Sequence, residues 1–331
     1  MKKIMLFILS VCLLATGKTE ILKASYPTKN ISGIIQWGAG GGTDSLMRPL
    51  STLAEKELGK SIVIENKTGG TGSIATQYVN SKAADGYTLL MGAENPQLYT
   101  ALKIIDLTYA DFEPILLIGD ETVGIAVPRN SPYKSFKEIV EVALKNPGTV
   151  TMSTTGTGGL PWEVGAFITA ITGATFSQIP YDSDATARAA VLGGECDFTI
   201  VKVQAGIEEY KSGDLKFLCM LSKTPVDQMS DVPLISVEYP DFDKYLPWGP
   251  FYGVFVKKGT DPAIVDVLSK AYEVAYKSES YQKVLKDFNI NGLGYSGDKA
   301  KEYLKNWQIN TIDALHKSGA IDKNAEELGL K

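Results

Sequence analysis

Ile34-Ile35-Gln36-Trp37-Gly38-Ala39-Gly40-Gly41-Gly42-Thr43-Asp44-Ser45 carries an apolar run into four closely spaced glycines and then into helix-starting residues. It reads as strand, loop, helix. Glycine lets the backbone turn sharply and approach a ligand without Cβ interference, and Thr43, Asp44 or Ser45 can cap the helix that follows. The first amides of a helix lack intrahelical partners and carry the positive end of its dipole. Such a loop can therefore hold a carboxylate or phosphate without any Lys or Arg, or it can be a tight turn with no ligand.

Outward from this stretch the pattern repeats. Ile62 to Glu65 reads as a second strand, followed by the glycine-rich turn Asn66 to Ser73 and a helix through Ser81; Tyr87 to Met91 reads as a third, with Glu94 and Asn95 just beyond it. Strands alternating with helices predict an α/β chain on mainly parallel sheets, and ligands of open α/β sheets bind beyond the carboxyl ends of the strands. Glu113 to Val127 is apolar with little helical period and reads as a crossing strand between two lobes. A second series follows, in which strand Val150 to Ser153 enters Thr154-Thr155-Gly156-Thr157-Gly158-Gly159 and then a helix from Pro161. Pro161 suits the first turn of that helix.

Strand Phe176 to Pro180 ends in Tyr181-Asp182-Ser183-Asp184, where Asp and Ser are ordinary helix caps. Pro247 to Pro250 and the strand Phe251 to Lys257 read as a return crossing, and Asp298 to Leu315 as a closing helix. The predicted organisation is a first lobe of 25–124 and 248–331, made from both ends of the chain, and a second lobe of 125–247. Two lobes with glycine loops facing a shared cleft describe a hinged clamp.

Composition narrows the possibilities. At 331 residues and 44% apolar content the chain can bury a large core, and two domains suit that length. Lys2 and Lys3 precede the apolar run Ile4 to Ala15, the right length for the core of a signal peptide over residues 1–24 and too short to span a bilayer; a short buried N-terminal helix is the other reading. Removing residues 1–24 changes the formal charge from −5 to −8. That acidity argues against nucleic acid or an anionic membrane as partner. Cys196 and Cys219 lie in apolar runs and read as buried thiols, or as a disulfide if their strands are neighbours. The one histidine, His316, is distant from every glycine loop, which leaves no triad and no His-based metal site. Neither metal nor cofactor is expected. A dinucleotide fingerprint fails because Thr43 holds the third glycine position and Glu65 lies 27 residues after Gly38, where about 20 are needed.

The set Tyr26-Pro27-Thr28-Lys29, Gly38 to Asp44, Ile64-Glu65-Asn66-Lys67, Gly69 to Ser73, Ala84-Asp85-Gly86-Tyr87-Thr88-Leu89-Leu90, Asn146-Pro147-Gly148, Gly156 to Gly159, Pro180-Tyr181, Leu192-Gly193-Gly194 with Asp197, and Tyr252-Gly253 resembles the extracytoplasmic solute receptors of tripartite tricarboxylate transporters, the Bug family. The resemblance runs to about residue 260. It implies a type II periplasmic-binding-protein fold, no catalysis, action as a monomer, and delivery of a small carboxylate to membrane permease subunits. A receptor of the same fold feeding a sensor kinase is the alternative. In that family one ligand carboxylate sits between the first loop of each lobe, held by amides, hydroxyls and water.

Carried over residue by residue, the site implied comprises Trp37, Ala39, Gly40, Gly41, Thr43 and Asp44 on the first loop, with Glu94 beside it. Ser153, Thr154, Thr155, Gly156, Thr157 and Gly158 belong to the second loop. Tyr181, Asp182, Ser183 and Asp184 complete the set. The chain departs from the family at Gln36-Trp37, usually Pro-Phe, and at Trp162, often His. Tyr181-Asp182-Ser183-Asp184 stands where Tyr-Lys-Gly-Gly is common, which removes a base and adds two acids. Facing the cleft, those acids would repel a second carboxylate and favour a cationic or neutral far end of the ligand; the other use of either is as a helix cap.

Overall fold

The computed structural model describes residues 26–331; the expected signal segment lies outside the described residues. In chain order the strands are β1 (Ile31–Ile35), β2 (Ile62–Asn66), β3 (Thr88–Ala93), β4 (Phe112–Glu121), β5 (Val123–Pro128), β6 (Thr151–Thr154), β7 (Ser177–Pro180), β8 (Phe198–Lys202), β9 (Leu215–Met220), β10 (Phe251–Lys257) and β11 (Ile290–Tyr295). The α-helices are α1 (Gly42–Leu58), α2 (Ser73–Asn80), α3 (Phe136–Lys145), α4 (Leu160–Thr172), α5 (Asp184–Leu192), α6 (Val203–Ser212), α7 (Ile235–Glu238), α8 (Pro262–Lys277), α9 (Glu279–Asp287) and α10 (Gly297–Lys317). Among the described residues, no helix is long and apolar enough to cross a membrane.

Two sheets share one plan. The first runs β11-β4-β10-β3-β1-β2 and the second β7-β6-β8-β5-β9. In each, three neighbouring strands are parallel (β2-β1-β3 and β7-β6-β8), and an antiparallel strand, β10 or β5, closes against the third. The sheets are therefore mixed rather than mainly parallel. The antiparallel strand of each sheet is the one that arrives from the other: β5 follows β4 after Thr122 alone, and β10 returns at Phe251. The apolar passage Glu113 to Val127 is thus two strands in two sheets.

Burial follows the strand sequences. β1 and β3 place Ile31, Ile34, Ile35, Leu89, Leu90 and Met91 at 1% exposure or less, as central strands covered on both faces require. The segment entering β10 is clamped by aromatics. Trp248 stacks on Trp307 of α10 at 5.8 Å between centroids and packs on Phe167 of α4 at 4.7 Å. Such pairs each add about 0.5–1.5 kcal/mol beyond their buried area. The indoles are anchored too, Trp248 donating to Thr311 Oγ1 at 2.8 Å and Trp307 to the Gly249 carbonyl at 2.9 Å. This clamp ties the long closing helix to the second sheet's α4 beside the crossing strands.

Cys196 and Cys219 are free and buried. Strand β5 pairs with both β8 and β9 and so lies between them, which removes the disulfide reading. Strand β11 escaped the sequence reading because Asn291, Gly292 and Gly294 are poor strand formers.

Candidate functional site

Helix α1 starts at Gly42, earlier than the residues that seemed suited to cap it. Its N-cap is Gly41, with no side-chain cap. Asp44 sits inside the first turn, where its Oδ2 accepts from Gly40 N at 3.0 Å and its Oδ1 from Arg48 Nε at 2.9 Å and Asn66 Nδ2 at 2.8 Å. Asn66 also donates to the Trp37 carbonyl at 2.8 Å. Asp44 therefore fixes the loop from behind and does not line the cleft. Gly40 has φ +78°, a conformation that side chains rarely adopt. With the loop held this way, the amides at the start of α1 are presented without intrahelical acceptors.

A cleft of about 560 Å³ lies at this helix start. Trp37, Gly38, Ala39, Gly41, Gly42 and Thr43 of the first loop line it. Glu94 and Asn95 follow from the end of β3, Thr155, Gly159 and Leu160 from the second glycine loop, and Asp182, Ser183 and Asp184 from the start of α5. A larger hollow of about 690 Å³ around Arg129 and Cys196 is lined by residues 128–214 alone and by neither glycine loop.

Nine of the seventeen expected residues line this cleft and eight do not. Ser153 is fully buried and donates to the Ala187 carbonyl at 2.7 Å. Thr154 Oγ1 accepts from Gly156 N at 3.4 Å and so acts inside the loop, whereas Ser153 ties β6 to α5. Gly40, Gly156, Thr157 and Gly158 shape the loops without lining the cleft. The Gly158 carbonyl accepts from Asn95 Nδ2 at 3.3 Å, joining the second glycine loop to the residues that follow β3. Tyr181 is directed elsewhere, donating to Glu195 Oε2 at 3.2 Å beside Cys196. The α5 cap is Ser183, which accepts from Thr186 N at 3.2 Å; neither Asp182 nor Asp184 is used as the cap.

Lys202, Tyr252 and Thr71 also line the cleft and were missed by sequence reasoning. Lys202 ends β8, and its place at a strand's carboxyl end is a signal the sequence offers, but only the strand pairing brings that end to the cleft. Its Nζ is 3.9 Å from Asp184 Oδ2 and 6.0 Å from the centre of the Tyr252 ring. The Tyr252 hydroxyl donates to Glu121 Oε2 at 2.6 Å. Burial works against the Lys202 charge, but Tyr252, Glu121, Asp184 and Glu94 outweigh it and hold its pKa well above the usual lysine range.

The acids respond in the opposite sense. Burial pushes the Glu94 carboxyl up to about 7; Lys202 pulls it down, and Asp184 and Glu121 add to the rise. Glu163 of α4 is raised well above the carboxylate range by burial and by Glu94. Glu121 is raised mainly by burial, against the pull of Lys202 and the Tyr252 hydroxyl. The site thus combines exposed helix-start amides, one cation and several acids. It is equipped to hold an anion at the first loop and hydrogen-bond donors elsewhere.

Comparison with known proteins agrees with this geometry. Residues 46–323 match the family model described as the tripartite tricarboxylate transporter family receptor. Protein BugT of Bordetella pertussis (strain Tohama I) is 28% identical over 261 residues, covering 77% of this chain and 79% of that protein. The periplasmic binding protein BugD superposes with a TM-score of 0.76 at 24% identity, over 89% of this chain and 99% of its own. Rpa4515 of R. palustris, solved with adipate, gives 0.76 at 22% identity over 89% and 98% of the two chains. The fold is that of a two-lobed α/β periplasmic binding protein.

Proposed function

Because the chain belongs to the tripartite tricarboxylate transporter receptor family, we propose that it captures a small carboxylate solute in the cleft between its lobes and hands it to the membrane subunits of such a transporter. It does so outside the cytoplasm, as a monomer and without catalysis. One observation carries this reading: two glycine loops, one from each sheet, line a single cleft into which the start of α1 opens. A helix start of this kind binds an anion through backbone amides. Solution of the similar Rpa4515 with adipate supports the ligand class. We take the lobes as 26–122 with 248–331 and 123–247, since Val123 and Gly124 already pair in the second sheet, and the crossings at Thr122 and before Phe251 as the hinge.

A thermal-shift panel of mono-, di- and tricarboxylates, amino acids and sugar acids tests the proposal. A ligand present at 100 times its dissociation constant stabilises the fold by about 2.7 kcal/mol, and at least one carboxylate should do so. No shift across the panel contradicts it.

A further inference from the structure

Four buried side-chain oxygens in and behind this cleft have no hydrogen-bond partner among the described residues: Glu94 Oε2, Asn95 Oδ1 and both carboxyl oxygens of Glu163. Asn95 is 4% exposed, Glu94 5%, and Glu163 is fully buried. Native structures seldom leave such groups unsatisfied, since burial removes their hydration and puts nothing in its place. All four atoms are acceptors unless a carboxyl is protonated. Asn95 uses its amide nitrogen on the Gly158 carbonyl, which fixes the side chain with its oxygen unpaired. Lys202 stands near Asp184 instead. Glu94 and Asn95 line the same cleft as the α1 helix start, and Asp182 and Asp184 line its more exposed part.

We propose that Glu94 and Asn95, backed by Glu163 of the opposite lobe, form a subsite for a primary ammonium group. The ligand is then an amine-bearing carboxylate, its carboxylate on the first glycine loop and its ammonium on this acceptor cluster. This rests on the carboxylate-receptor reading above and narrows it. An ammonium supplies three donors and no acceptor, which matches a cluster that offers acceptors only. It also offsets a surplus of acid that a second carboxylate would increase. The groups facing Glu94 are Lys202 of β8, Asp184 at the start of α5, Glu121 at the end of β4 and Glu163 of α4. The phenols of Tyr99, Tyr109 and Tyr252, also close, are pushed up and stay neutral. An arriving ammonium favours ionised Glu94, so amine binding near neutral pH expels a proton from it.

Calorimetric titration of the purified protein with succinate against 4-aminobutanoate, and glutarate against 5-aminopentanoate, tests the assignment. At pH 8 an amine-bearing member should bind at least tenfold tighter than its matched diacid, and it should weaken on going to pH 5.5. In two buffers of different ionisation heat it should show proton release. The isosteric variant Glu94→Gln should lower the preference for the amine over its matched diacid at least tenfold. The wild-type pH and buffer readouts stand even if that variant fails to fold. Diacids binding as tightly as their amine partners, or with proton uptake, overturn the ammonium subsite and leave the carboxylate-receptor reading intact. Binding of none of the four, with a thermal shift from a carboxylate that lacks an amine, overturns the ammonium subsite alone, and no shift across the whole panel overturns both.

Discussion

Lys202 Nζ lies 3.9 Å from Asp184 Oδ2, an ion pair within one lobe, with Asp184 half exposed and Lys202 a quarter exposed. The cation lining the cleft is therefore already engaged before any ligand arrives, and its neighbours Glu121 and Glu94 draw on the same charge. Replacing it with an uncharged side chain of similar length leaves three acids without compensation. Lys202→Met should lose about 2 kcal/mol at pH 8, less than the 3–5 kcal/mol of a fully buried pair because Asp184 is solvated. Much of the loss should return at pH 5, where Glu94 and Glu121, both raised by burial, take up protons more readily. Urea denaturation at the two pH values measures both effects.

Asp44 holds the first glycine loop through three hydrogen bonds, from Gly40, Arg48 and Asn66. Burial raises its carboxyl, but the bonds from Arg48, Gly40 and Asn66 outweigh that and hold it below the usual range. Asp44→Ala should cost about 1–3 kcal/mol and weaken ligand binding more than its distance from the cleft suggests. Denaturation and titration of the variant check the two parts separately.

Gly92 meets the Gln36 side chain so closely that an added Cβ would lie 1.9 Å from Gln36 Oε1 and 2.7 Å from Tyr109 Oη. Gln36 cannot swing away, since its Oε1 accepts from Ala93 N at 3.0 Å and its Nε2 donates to Thr76 Oγ1 at 2.8 Å. Gly92→Ala should lose about 3 kcal/mol or fail to fold, against well under 1 kcal/mol for Gly38→Ala, where the same Cβ meets open space. Melting temperatures of the pair decide it.

The pH dependence of stability has a defined sign. Glu94 is raised from 4.5 to about 7 in the folded protein, so between those values the folded chain holds a proton that the unfolded chain has released. Its stabilising contribution is full below about 4.5 and falls as pH rises through 7. Asp44, lowered from 3.8, acts oppositely and only in acid, where stability is lost as pH falls through its folded value. Between pH 5 and 8 the wild type should lose roughly 1–3 kcal/mol more than Glu94→Gln. Parallel curves for the two proteins contradict this.

The strand-loop-helix units were legible because apolar period and glycine placement are local properties of the chain. Gly38 to Thr43 and Thr155 could be assigned to facing loops on that basis. What lay beyond reach depends on how distant strands meet. Lys202 is one lysine at the end of an apolar run, and only the pairing of β8 with β5 and β6 carries that strand end to the cleft. Tyr252 faces Gly42 because β10 inserts between β3 and β4, a crossing that no short-range pattern encodes. Asp44 took a different part for a similar reason. Helix α1 begins at Gly42, a few residues earlier than apolar period suggests, which turns Asp44 from a cap into a brace, whereas Ser183 caps α5 as its residue type suggested.

A crystal structure of the protein with the carboxylate that stabilises it most is the most direct test of the central claim. The account requires a ligand carboxylate within hydrogen-bond distance of the amides of Gly42 or Thr43, enclosed by Thr155 from the opposite loop. A ligand in the Arg129 hollow, or in the cleft with its carboxylate away from the α1 helix start, would contradict it.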